Sequence, residues 1–144
     1  MNPLAEILKK LLADVIAFSM KVQKYHWNVE GPNFPQYHEF LGNLYEEVHA
    51  SVDFIAELIR TLDVKSPGGL KEFLEMSSID ENTNDSDALT MFKNLLNEND
   101  KLIAILYISY KASDETGEIG IANFLQDRIQ AHEKHRWMLR AITK

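Results

Sequence analysis

The sequence predicts an all-α protein: a four-helix bundle with one long crossover that carries a short extra helix. Three observations predict it. Apolar residues recur at three- and four-residue steps through four long stretches, the spacing that gives a helix one buried face. The 6 Gly and 4 Pro cluster in a few short stretches, where the chain has to turn. The connections also differ in length, two of them tight and one long. A chain of 144 residues has the length of one domain, so residues 1–144 read as a single unit. It is long enough to bury a core without metals or bridges.

The first face consists of Leu4, Leu8, Leu11, Val15, Phe18, Val22 and Tyr25. It runs from about Pro3, whose fixed φ suits a first turn, to about Asn28. Glu30-Gly31-Pro32-Asn33 then breaks the pattern. Tyr37, Leu41, Leu44, Val48, Ile55, Ile59 and Leu62 read as one continuous second helix that ends before Ser66-Pro67-Gly68-Gly69. Leu70–Met76 fits a short helix inside the connection. The polar run Asp80–Asp87 is rich in capping types and leads into a third helix, with Leu89, Phe92, Leu96, Ile103, Leu106 and Tyr110 on its face. The chain turns again around Gly117, and Ile121, Leu125, Ile129, Met138, Leu139 and Ile142 mark a fourth helix. Helices of roughly 25 residues are about 37 Å long at about 1.5 Å per residue. The tight first turn makes helices one and two antiparallel neighbours. The connection of roughly twenty residues is long enough to run the length of the bundle and set helices two and three parallel, which is the ferritin-like topology.

Composition excludes several chemistries. With no Cys, disulfide scaffolds, thiolate zinc sites, iron–sulfur clusters and cysteine nucleophiles are out. No apolar run approaches the roughly 20 residues of a membrane span. Met1-Asn2-Pro3-Leu4 shows no basic or apolar signal region, so the expected location is the cytoplasm. No glycine-rich phosphate loop or nucleophile elbow is present. Acidic residues number 22 against 15 basic, for a net charge of −7. That balance repels nucleic acid and offers carboxylates to cations.

Four residues stand out: His26, His38, Asp53 and Glu57. Asp53 and Glu57 are four residues apart and so share a helix face, although such pairs are also common on solvated surfaces. His26 and His38 flank the Gly31-Pro32 turn at similar distances, so the hairpin sets them at one level. They can bind a metal there, or cap and pack. His38 and Asp53 are fifteen residues apart on one helix, about 22 Å at about 1.5 Å per residue. No single ion spans that within one chain. If all four are co-ligands, histidines and carboxylates come from different subunits, as an antiparallel twofold pairing of hairpins would arrange. An imidazole and carboxylate set suits Fe(II) and leaves positions open for an oxidant.

The run Tyr25-His26-Trp27-Asn28-Val29-Glu30-Gly31-Pro32-Asn33-Phe34, then His38, Leu44-Tyr45 and Asp53-x-x-Ala56-Glu57, resembles the Dps mini-ferritins. Leu70-Lys71-Glu72-Phe73-Leu74 and His132-Glu133-Lys134-His135-Arg136-Trp137-Met138 resemble them too, so the likeness covers nearly the whole chain. It implies a hollow shell of twelve four-helix subunits with a short helix in the middle connection. It also implies a ferroxidase site at each twofold interface, with His26 and His38 from one subunit and Asp53 and Glu57 from its mate. Iron(II) would be oxidised there, typically by hydrogen peroxide, and Fe(III) mineral stored in the cavity. Trp27 would be an aromatic near the iron that takes up an oxidising equivalent; its plainer reading is an interface side chain.

Other readings compete. Larger ferritins hold two irons inside one bundle with two Glu-x-x-His motifs and two further Glu residues. Glu46 and His49 have that spacing, but Ile129 stands three residues before His132 and the second glutamate is missing. His49 shares a face with Asp53 and offers an accessory contact. His132 and His135 read as structural. A DNA-compacting role would call for basic tails, and none is present; Lys9, Lys10, Lys21 and Lys24 read as a solvated face, which argues against direct DNA binding. A shell without catalysis is the remaining alternative. Asp114, Glu115, Glu118 and Asp127 are candidates for a cation pore, or simply favour helix starts, and Ile119, Ile121 and Asn123 make that stretch less acidic than in relatives.

Overall fold

The computed structural model describes residues 1–81 and 87–144. Among them are six helices: α1 (Pro3–Asn28), α2 (Phe34–His49), α3 (Val52–Thr61), α4 (Leu70–Met76), α5 (Ala88–Glu115) and α6 (Ile119–Thr143). α1 starts where expected because the Asn2 side chain accepts the Ala5 N–H at 3.1 Å and Pro3 follows it. Gly31, at φ +122°, makes the turn into α2, and Pro35 stands in the first turn of that helix.

The expected second helix is interrupted. It divides at Ala50–Ser51 into α2 and α3. The Ser51 N–H and hydroxyl both donate to the Val48 carbonyl, at 3.1 and 2.6 Å, tightening the chain into a three-residue turn. Ala50 and Ser51 keep right-handed helical dihedrals, so the apolar period passes through the break without a signal.

α3 ends with Asp63 in the left-handed region at φ +60°. α4 occupies Leu70–Met76 as expected and lies against α1. Two buried charges fasten the chain after it. Asp14, 2 % exposed, accepts from Ser78 N at 2.7 Å and Ser77 Oγ at 3.1 Å, with Lys10 Nζ at 2.8 Å. Lys21 donates to the Asp80 carbonyl at 2.8 Å and lies 3.9 Å from Glu98. Lys21 is therefore buried rather than part of a solvated face, because the crossover closes over it. Burial lowers its pKa, against the opposing pull of Glu98 and Asp80.

Of the polar run 80–87, residues 82–86 lie outside the described residues. Asp87 is the N-cap of α5, accepting the Thr90 N–H at 2.8 Å. α5 closes on Gly117 at φ +74°, with Glu118 N–H to Ser113 O at 2.9 Å and Gly117 N–H to Asp114 O at 3.2 Å, the paired bonds of a Schellman cap. That turn folds α6 back along α5. Leu8, Leu11, Phe18, Tyr25, Leu41, Ile55, Phe92, Leu102, Leu125 and Leu139 fill the core. Leu89 is the exception on its expected face: it is exposed at the start of α5.

Candidate metal-binding site

The α1–α2 hairpin brings His26 and His38 into direct contact, and each is half-buried. Their rings stack with centroids 3.9 Å apart and planes 11° from parallel. His26 Nδ1 lies 2.7 Å from the His38 carbonyl, and His38 Nδ1 lies 2.7 Å from the His26 carbonyl. A carbonyl oxygen only accepts, so both Nδ1 atoms carry the proton and donate it. In the neutral imidazoles each Nε2 then keeps its lone pair, the state a metal ion needs, and an outer bond at Nδ1 is the usual way a ligating imidazole is oriented. Phe34 stacks on the other side of His38 at 5.1 Å and fixes that ring.

Asp53 and Glu57 stand one turn apart on α3, both exposed to solvent. Phe54 between them is exposed as well and stacks on Phe124 at 5.8 Å. The fold thus brings the histidines into contact and sets the carboxylates one turn apart on α3. It does not join the two pairs within one chain: among the described residues, no group of three or more His, Asp or Glu side chains could hold a metal ion. Trp27, directly after His26, is 66 % exposed.

The interior holds a different polar cluster. Glu47, rather than Glu46, points between α2 and α6. It takes the Arg128 guanidinium on both carboxylate oxygens, one at 2.9 Å, and His135 Nε2 at 2.7 Å. Burial raises the Glu47 pKa, but His135 and Arg128 outweigh it and hold the carboxyl well below the usual carboxylate range. His132 is fully buried, and burial, then Arg128, push its pKa well below the ordinary value. Its Nδ1 lies 2.7 Å from Asn99 Oδ1, and its Nε2 accepts from Arg128 at 3.2 Å. Arg128 supplies the positive charge that these acceptors face. His132 and His135 are structural here, as their positions suggested. Glu46 and His49 are exposed, so this spacing builds no intrachain centre. Periodicity favoured Glu46 only through its match to a motif; the inward turn of Glu47 depends on Arg128, 81 residues away in sequence.

A ferritin-like domain family matches residues 5–144. A DNA protection during starvation protein of Brevibacillus brevis is 33 % identical over 139 residues, covering 96 % of this chain and 93 % of the relative. This chain belongs to the Dps family of ferritin-like proteins. An uncharacterized low temperature-induced protein of Nostoc is 34 % identical to this Dps chain over 138 residues, covering 94 % and 77 % of the two. The Dps protein of Vibrio cholerae, described as a member of a broad superfamily of ferritin-like diiron-carboxylate proteins, superimposes with a TM-score of 0.94. It is 30 % identical, and the match covers 98 % of this chain and 89 % of that one. In this Dps chain the bundle and the paired histidines are formed by one subunit, and no described helix is long and apolar enough to cross a membrane.

Proposed function

We propose that this Dps chain oxidises Fe(II) with hydrogen peroxide and stores the Fe(III) as mineral inside a closed homo-oligomer of twelve subunits. The sites lie between subunits, with His26 and His38 of one and Asp53 and Glu57 of the partner subunit as the ligands. The observation that carries this reading is the pair of stacked imidazoles whose Nδ1 atoms both donate to carbonyls, so that in the neutral rings each Nε2 keeps its lone pair for a metal. The exposed carboxylate pair on α3 supplies the anionic oxygens that favour the higher iron charge. Two Fe(II) ions each give one electron, and the peroxide, with two protons, leaves as two waters. Trp27 beside the ligand takes up a stray oxidising equivalent. The relatives' name, DNA protection, fits this chemistry without DNA contact, since the reaction removes the two reactants that together yield hydroxyl radicals.

Anaerobic Fe(II) loading followed by peroxide tests the reading, with ferric absorbance followed in wild type and in the His38→Ala/Asp53→Ala variant. Wild type should oxidise the iron rapidly, and the variant should lose most of that rate while keeping its size on gel filtration. An unchanged rate in the variant would remove these ligands from the reaction. If the wild type itself adds nothing to the rate in buffer, the non-catalytic shell becomes the better account.

A further inference from the structure

Gly42 stands in the middle of α2, where glycine weakens a helix relative to alanine. Its φ is not positive, so backbone geometry does not require it. The His26 imidazole lies over it. A Cβ placed on Gly42 would stand 2.8 Å from His26 Cε1 and 3.2 Å from His26 Nδ1, closer than packed atoms approach. The same ring is bounded by the His38 imidazole at 3.9 Å and tied to the His38 carbonyl at 2.7 Å. Gly42 follows His38 by one helical turn, so slot, stacking partner and hydrogen-bond acceptor all belong to one stretch of α2.

We infer that Gly42 is a positioning residue for the metal-binding pair: the missing side chain is the slot in which His26 lies against α2, donates through Nδ1 and presents Nε2. The inference rests on the reading of His26 and His38 as ligands. The imidazole turns on two side-chain bonds, so a methyl group at position 42 displaces the ring rather than the backbone. The displaced ring loses its bond to the His38 carbonyl, and with it the fixed direction of Nε2. Helix stability and metal binding therefore move in opposite directions, which a purely packing role for the glycine would not produce.

The test compares wild type, Gly42→Ala and His26→Ala as intact assemblies, with Co(II) as an anaerobic spectroscopic probe and thermal unfolding measured without metal. Gly42→Ala is expected to assemble and to unfold at the wild-type temperature or above. Its apparent Co(II) affinity should fall about tenfold or more, the size of effect seen when a ligand loses its orienting shell, and its visible spectrum should move toward that of His26→Ala. Wild-type Co(II) binding by Gly42→Ala, with His26→Ala losing it, would overturn the positioning role and leave the ligand reading intact. A lowered unfolding temperature in Gly42→Ala would make the glycine a packing residue and overturn it as well. No Co(II) spectrum in wild type, or full binding by His26→Ala, would remove the ligand reading and this inference with it.

Discussion

At the scale of single residues, two glutamates with adjacent numbers part company. Glu46 is exposed, whereas Glu47 carries the polar link between α2 and α6. Removing one partner of a fully buried ion pair costs about 3–5 kcal/mol. The Glu47 side chain is 40 % exposed, so solvent screening reduces the cost, and Glu47→Gln should destabilise the fold by about 1–2 kcal/mol in urea unfolding. Its folded pKa is depressed, so its contribution is full above the unfolded value of about 4.3 and is lost as pH falls through the folded one. The difference between wild type and variant should shrink on acidification, and a gap that widens at low pH would contradict this account. His132 acts with the same sign over a higher range. Burial keeps its imidazole neutral, while the unfolded chain takes up a proton below about pH 6.5. Stability should therefore fall as pH drops through that region, and His132→Gln should flatten that part of the curve. That His132 and His135 are structural could be read from the sequence, for His132 from its place on the apolar side of the last helix. Their partners could not, because Asn99, Arg128 and Glu47 converge only in three dimensions.

At the scale of elements, helix ends set by local chemistry were legible and a break set by one hydroxyl was not. Asn2-Pro3 and Gly117 mark their boundaries in the sequence. Ser51 marks its own only when its hydroxyl turns back to Val48, while Val48 and Ile55 keep the core period on either side. The level of His26 and His38 followed from their symmetry about the Gly31 turn, but the crossed bonds between them, and the slot at Gly42, required packed helices. Lys21 escaped for a related reason: the crossover that buries it is distant in sequence. That crossover is pinned by Asp14, and Asp14→Ala would leave the Ser78 N–H without its acceptor. The substitution should cost about 1–3 kcal/mol and speed amide exchange at Ser77–Ile79 well beyond that of the helix interiors. Unchanged protection there would mean that α4 and Ile79 hold the segment without the carboxylate.

At the scale of the whole molecule, the subunit leaves large apolar side chains outside its core. Trp27, Phe54, Leu70, Leu74, Ile119 and Trp137 are all exposed, side chains that association with further copies of the chain would cover. Sedimentation velocity should give a single species near twelve times the subunit mass of 16.6 kDa. Leu74→Asp on α4 should lower that mass without lowering helix content. A wild type that sediments as a monomer would remove the intersubunit site along with the shell. The net charge of −7 per chain also makes such a shell an attractor for cations and a poor one for phosphate.

The crossed histidine bonds have a consequence for the order in which the site is made. They join residues only 12 apart in the chain, and a loop of about that length closes in about 10–100 ns. Synthesis delivers the N-terminal part of a chain first, so His26 and His38 join the chain before Asp53 and Glu57. The pairing of the two imidazoles is thus a property of one hairpin, and in the proposed site the carboxylates would come from a second chain.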